Sequence, residues 1–189
     1  FGYHEKDRLG GKDPYSGSKG ASELVIKSYV QSFFIKPQSN VRVAVGRAGN
    51  VIGGGDWAPY RIIPDCVRSI KKNSNLIIRN PKSTRPWQHV LEPLSGYLVL
   101  AQKTYESPQE YAEGWNFGPH DEDAKPVDWI INQMASKWEG KANWKLDKNS
   151  NPYEATSLKL DISKAKLRLG WQPGGFFVLS PKVLERITG

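Results

Sequence analysis

Residues 41–46, VRVAVG, run straight into a glycine-rich stretch, RAGNVIGGGDW at 47–57, and no other feature narrows the possible folds so far. A short Val-rich run bounded by glycine suits a strand buried on both faces, the situation of a parallel sheet. Parallel neighbours must be joined by crossovers of a dozen or more residues, usually helices. The flanking sequence supplies them. Pro14 in a first helical turn forfeits no hydrogen bond, and Asp13 before it is an N-cap residue type. Leu24, Val25, Tyr29 and Phe33 then recur at helical spacing, so a helix is expected over 15–34. Further helices are expected at PDCVRSIKK (64–72), at EPLSGYLVLAQKTY (92–105), at PVDWIINQMASKW (126–138, closed by Gly140) and at ISKAKLRLG (162–170). Strands are expected at NLIIRN (75–80), GWNFGP (114–119) and SLKLD (157–161). Helix and strand alternate throughout, so the fold class is α/β.

Charge and cysteine content limit the function. The chain of 189 residues carries 27 Lys and Arg against 19 Asp and Glu, a formal charge of +8. These cations are scattered, and the densest group is only RSIKK at 68–72. With no basic arm and no nucleic-acid motif, no nucleic-acid partner is expected. Two or three of the cations would suffice for a small anionic ligand such as a diphosphate. No apolar run approaches the ~20 residues of a membrane span, and FGYHEKDRLGGKD at the start is no secretory signal. Cys66 is alone, so no internal disulfide can form, and a cytoplasmic setting follows. His4, His89 and His120 lack metal-ligand spacing, and no metal site is expected.

The chemistry concentrates in DPYSGSKGASE, residues 13–23. Tyr15 and Lys19 stand four residues apart and share one face of a helix. A free tyrosine titrates near pH 10, and an ammonium one turn away favours its phenolate. Such a tyrosine can take a proton from an alcohol while a hydride leaves the same carbon. By itself the spacing is equally that of a helix-surface pair.

The context of that pair resembles the extended short-chain dehydrogenase/reductase family, and within it the nucleotide-sugar dehydratases and epimerases. DPYSGSKGASELV followed by VRVAVGRAGNVIGGGDW matches their Tyr/Lys helix, strand and Arg-x-x-Asn-Val-x-Gly loop. RIIPDCV and STRPWQHVLEPLSGYLVLA match the substrate-binding part, and the wording of RAGNVIGGGDWA, RNPKSTRPWQHVLEPLSGYL and EGWNFGP is similar to that of the 4,6-dehydratases acting on CDP-glucose. The resemblance covers about residues 1–173. It implies an incomplete Rossmann-like (doubly wound) domain plus a smaller α/β nucleotide-sugar-binding domain. Residues 1–57 would end the NAD-binding domain. Residues 58–173 would bind the sugar nucleotide, some segments returning to the first sheet, and 174–189 would form an atypical tail.

The resemblance also implies chemistry and roles. NAD would take the hydride from C4 of the sugar and return it to C6 after water leaves across C5 and C6. Tyr15 would remove the 4-hydroxyl proton, Lys19 would hold the nicotinamide ribose, and Ala48 would border the nicotinamide. Asn50 and Arg85 would bind the sugar diphosphate, Arg61 the diphosphate or the sugar, and Arg79 with the stretch around Glu154 would border base and ribose. Gly53, Gly54 and Gly55 would allow close backbone approach; no Gly-Lys-Ser/Thr follows them, so they are not a P-loop. Trp57, Trp87 and Trp115 are expected in the core. Family members pair through the Tyr15 helix, so a homodimer is expected, serving deoxysugar synthesis for a bacterial surface polysaccharide.

No dinucleotide-binding glycine motif occurs, so the chain reads as the C-terminal portion of a longer protein, inactive alone. Two other readings stay open: a related epimerase or dehydratase for another nucleotide sugar, and a non-catalytic nucleotide-sugar-binding fragment.

Overall fold

A computed structural model describes residues 2–36, 38–138, 143–149 and 153–174. Helix α1, Pro14–Tyr29, opens as the sequence predicts. The Asp13 carboxylate accepts from the Ser16 backbone N–H at 2.9 Å and from its hydroxyl at 2.7 Å, and Pro14 sits in the first turn. The helix runs on as a π-helical turn, Val30–Phe34. Then follow β1 (Val45–Ala48), β2 (Asn50–Ile52), α2 (Ile62–Lys71), β3 (Leu76–Ile78), β4 (Thr84–His89), α3 (Leu91–Glu106) and α4 (Pro108–Tyr111). They are succeeded by β5 (Gly114–Phe117), β6 (Ala124–Pro126), α5 (Val127–Lys137), β7 (Trp144–Leu146) and a π-helical turn at Ala165–Leu169.

The strands form three small sheets. β1 pairs parallel with β5, Val45 opposite Gly114 and Ala48 opposite Phe117. β4 lies between β2, parallel, and β6, antiparallel. β3 pairs parallel with β7. Side chains alternate across a strand, and this decides what covers β1. A side chain at Gly46 would meet the Tyr97 ring of α3, whereas Arg47 reaches Glu23 of α1. The β1–β5 sheet is therefore sandwiched between α3 and α1.

Two hydrophobic clusters hold the chain. One gathers Leu100, Trp115, Phe117, Ile162, Ala165, Leu169 and Trp171 around the β1–β5 sheet. Phe117 is fully buried, with Tyr97 and Trp171 set edge-on to its ring at 5.3 and 5.0 Å. The other joins Ile63, Cys66, Val67 and Ile70 of α2 to Ile130, Ile131 and Met134 of α5, over Leu76, Ile78 and Trp87.

Several expectations need correction. Strand 41–46 is regular only from Val45, because among the described residues β1 has a partner on one edge alone. SLKLD (157–161) forms single bridges, Ser157 to Thr84 and Leu160 to Tyr3, rather than a strand. The glycine-rich stretch after β1 contains a strand, β2, which pairs with a β4 not foreseen at all. β4 is buried on both faces, so PWQ shows no alternation of apolar and polar residues. Of the three tryptophans placed in the core, Trp87 and Trp115 are buried but Trp57 is 48% exposed, with the Lys71 ammonium 6.0 Å from its ring. The helical spacing of Leu24, Val25, Tyr29 and Phe33 holds, the last in the π-helical turn after α1, and all four are exposed. Gly140 and residues 175–189 of the expected tail lie outside the described residues.

Gly96 shows how tight the first cluster is. A Cβ there would lie 2.3 Å from Phe117 Cδ1, and the ring is boxed in by Tyr97 and Trp171. Gly96→Ala is expected to lose about 1–3 kcal/mol through overpacking, despite alanine's better helix propensity. A urea titration of the protein bearing the substitution, showing a lower midpoint at unchanged slope, checks this.

Candidate functional site

Tyr15 and Lys19 lie in the first turns of α1, both exposed, with the Lys19 Nζ 6.0 Å from the Tyr15 ring centroid. Tyr15 is 66% exposed. Neither side chain is bonded to another described residue beyond this contact. Glu23, four residues beyond Lys19, continues the same stripe and anchors it. Its carboxylate takes Arg47 Nε at 2.8 Å and Nη2 at 2.6 Å, a two-pronged bond that fixes both planes. Arg47 Nη1 also donates to the Glu5 carbonyl at 3.1 Å, while Glu5 Oε1 accepts the Asn116 N–H of β5 at 2.9 Å. The start of the chain, α1, β1 and β5 thus share one network. Gly20, the sole buried residue of α1, lets the preceding loop cross the helix: a Cβ would lie 2.6 Å from the Gly10 nitrogen. The loop and the clamp together hold the Tyr15 end of the helix.

Ala48 ends β1 and is itself exposed, and Asn50 begins β2, half-buried, with its side chain unbonded to any described residue. Arg61 caps α2 through its backbone and is exposed.

A second group forms far from these in sequence. Arg85 in β4 is buried, its side chain 8% exposed, and its Nη2 donates to Glu154 Oε1 at 2.6 Å while Nη1 donates to the Thr84 carbonyl at 2.9 Å. Asn80 Nδ2 donates to the other oxygen of Glu154 at 2.8 Å. Arg79 adds its positive charge nearby. Burial opposes ionisation of Glu154, but hydrogen bonds from Asn80 and Arg85 and the charges of Arg85 and Arg79 outweigh it and hold the carboxyl below its usual range. The Lys12 ammonium, just ahead of α1, stands 5.4 Å from the ring of Tyr153, next to Glu154. The segment before Tyr15 therefore reaches the residue next to Glu154.

Of the residues singled out from the sequence, the structure unites Tyr15 with Lys19, and Arg79 and Arg85 with Glu154. It records no bond joining Ala48, Asn50 or Arg61 to either pair. Sequence reasoning passed over Glu23, Arg47 as an ion-pair partner, and Asn80. Glu23 alone carried a signal, four residues beyond Lys19 on the same stripe.

Other features carry less chemistry. A groove of about 710 Å³ runs along α3 and β1, lined by Arg42, Gly46, Tyr97, Leu100, Thr104 and Tyr105 among others, and shares no residue with either group. Burial pushes the Cys66 thiol up to about 11, which makes it a poor nucleophile. Among the described residues no set of three His, Cys, Asp or Glu gathers as metal ligands, and no helix is long and apolar enough to cross a membrane.

A parallel sheet between helices, with a Tyr/Lys pair opening one of them, places the chain among Rossmann-type α/β proteins. It belongs to the GDP-mannose 4,6 dehydratase family, whose profile matches residues 1–177. It is 55% identical over 176 residues to CDP-glucose 4,6-dehydratase of Salmonella typhimurium, covering 92% of this chain and 49% of that one. The chain thus spans about half the length of that relative. Among solved structures it is similar to a dTDP-glucose 4,6-dehydratase from Streptomyces venezuelae with NAD bound, at TM-score 0.78 and 18% identity over 100% of this chain and 53% of that one. It is also similar to UDP-glucuronic acid 4-epimerase from Bacillus cereus in complex with UDP-glucuronic acid and NAD, at TM-score 0.75 and 20% identity over 98% and 57% of the two chains. At these identities the structural likeness establishes the fold alone.

The lowered Glu154 sets a pH dependence. Its contribution to stability is fully present above the ordinary carboxylate pKa and is lost as pH falls through the lower folded value. An NMR titration of the Glu154 carboxyl is expected to show a midpoint below that of a free glutamate, and Arg85→Met is expected to raise it.

Proposed function

We propose that this chain is part of an NAD-dependent CDP-glucose 4,6-dehydratase, converting CDP-glucose to CDP-4-dehydro-6-deoxyglucose and water. The observation that carries the reading is the 55% identity maintained over 92% of the chain. The site chemistry agrees with it. The Tyr15 hydroxyl and Lys19 ammonium are exposed and unclaimed by any described carboxylate, so both are available to ligands. Lys19 would hold the nicotinamide ribose, with the small side chain of Ala48 bordering the ring. NAD, when bound, would supply the hydride acceptor at C4 and the donor at C6.

Side chains of this chain would take the first proton and hold the substrate. Tyr15 takes the proton from the sugar 4-hydroxyl as the C4 hydrogen departs as hydride, and the resulting C4 ketone acidifies the hydrogen at C5. Loss of the C5 proton and the 6-hydroxyl as water leaves a C5=C6 double bond conjugated to the ketone, which then takes the hydride at C6 and a proton at C5. Asn50, with an uncommitted amide, donates to the sugar diphosphate. Arg61 offers an exposed guanidinium, and Arg85 adds charge from a buried position. Arg79 and Glu154 border the nucleoside. We further assign residues 1–57 to the NAD-binding domain and 58–173 mainly to the sugar-nucleotide domain. The exposed Leu24, Val25, Tyr29 and Phe33 of α1 support a homodimer formed through that helix. A cytoplasmic place in deoxysugar synthesis for a surface polysaccharide follows from the same reading.

The test is to express the complete reading frame, supply CDP-, dTDP-, UDP- and GDP-glucose, and follow loss of one water by mass spectrometry. CDP-glucose is expected to react fastest, and a preference for another nucleotide overturns the assignment. Tyr15→Phe is expected to lower kcat by ~10²–10⁴-fold while leaving CDP binding intact.

A further inference from the structure

Asn80 sits in the turn after β3, where its carbonyl accepts the Ser83 N–H at 3.1 Å. Its side-chain amide does something a turn residue need not do. Nδ2 donates at 2.8 Å to Oε2 of Glu154, 74 positions away. Oε1 of the same carboxylate is taken by Arg85 at 2.6 Å. Among the described residues each oxygen therefore has one donor, and the carboxylate can neither rotate nor swap oxygens without breaking a charge-assisted bond. Arg85 cannot follow a swinging partner, because its other amine is bound to the Thr84 carbonyl and its side chain is only 8% exposed.

Glu154 nevertheless keeps an open side, with 36% of its side chain exposed. An ionised carboxylate accepts up to about four hydrogen bonds and donates none. The described residues fill two of these places, and the partly exposed side leaves the carboxylate acceptor positions for a ligand. Their complement is a ligand bearing hydroxyl or amino donors; a phosphate would be repelled.

We propose that Asn80 is a positioning residue for nucleotide recognition. By holding Oε2 it keeps Glu154 in the one orientation whose free lone pairs accept donors of the nucleoside. The inference rests on the reading of Glu154 as nucleoside-facing. The charged groups facing Glu154 are Arg85 from β4 and Arg79 beside Asn80, while Lys12 reaches only the neighbouring Tyr153.

The test measures CDP affinity by calorimetry in the protein expressed from the complete reading frame. Asn80→Ala is expected to weaken CDP on the order of tenfold, the scale of one hydrogen bond to a charged group. Asn80→Asp makes the sharper experiment. Two carboxyls at this separation resist ionising together, so one pKa of the pair rises strongly. The introduced carboxyl can donate to Glu154 only while the pair retains its proton. CDP affinity in this variant is therefore expected to be near normal below the raised pKa and to fall as pH rises through it. The wild type stays flat over the neutral range, and a purely structural role for Asn80 would not create this profile. Unchanged CDP affinity in both variants overturns the proposal. Glu154→Gln, measured in parallel, separates the two ideas. If it weakens CDP while the Asn80 variants do not, only the role of Asn80 falls. If it too binds CDP normally, the placement of Glu154 at the nucleoside falls, and the inference with it.

Discussion

The two-pronged bond between Glu23 and Arg47 is the contact on which the candidate site depends. Helix α1 has little else to hold it: its apolar side chains are exposed, and only Gly20 is buried. Hydrophobic burial, usually the dominant cohesive term, therefore contributes little to where α1 sits. A part-buried, bidentate ion pair is geometrically exacting where a greasy contact is not. It fixes the rotation of the helix about its axis as well as its distance from β1. Tyr15 and Lys19 share a stripe with Glu23, so the clamp also sets which way they face.

The same network reaches further. Arg47 holds the Glu5 carbonyl, Glu5 holds the N–H of Asn116, and Asn116 Nδ2 donates to the carbonyls of Tyr3 at 2.9 Å and Asp161 at 3.2 Å. The first residues are thereby stitched between β5 and the segment around Leu160. Alternation on β1 and β5 separates two tasks. Trp115 and Phe117 make the apolar core and Gly46 leaves room for Tyr97 of α3, while Arg47 and Asn116 face the other way and make the polar network. One face supplies cohesion and the opposite face supplies orientation.

The Arg85–Glu154–Asn80 group is built on a different logic. Arg85 is deeply buried and would be costly to leave unpaired, so its partner is held firmly and from both oxygens. The outcome is a carboxylate with fixed geometry and an open side. The contact between Lys12 and Tyr153 brings the loop before α1 to the edge of this group. The loop ahead of Tyr15 thus touches the sequence neighbour of Glu154.

Much of the fold was legible from local pattern. Asp13 and Pro14 announced the start of α1, and the alternation of helical and extended segments announced a parallel α/β architecture. Such signals act over a few residues and survive without tertiary context. β4 stayed hidden because burial on both faces erases period-two alternation, and β2 because glycines around it read as loop. SLKLD alternates like a strand yet finds only single bridges, since a strand is defined by its neighbours and not by its own side chains. In the site, Tyr15 and Lys19 were visible because a helix fixes what four residues apart means. Glu23 with Arg47, and Asn80 with Arg85 and Glu154, were not, because no spacing rule links residues 24, 69 or 74 positions apart. By itself the sequence determined the chemistry available and the helix that displays it; the tertiary structure decided which charges meet, because only the folded chain sets distances between segments remote in sequence.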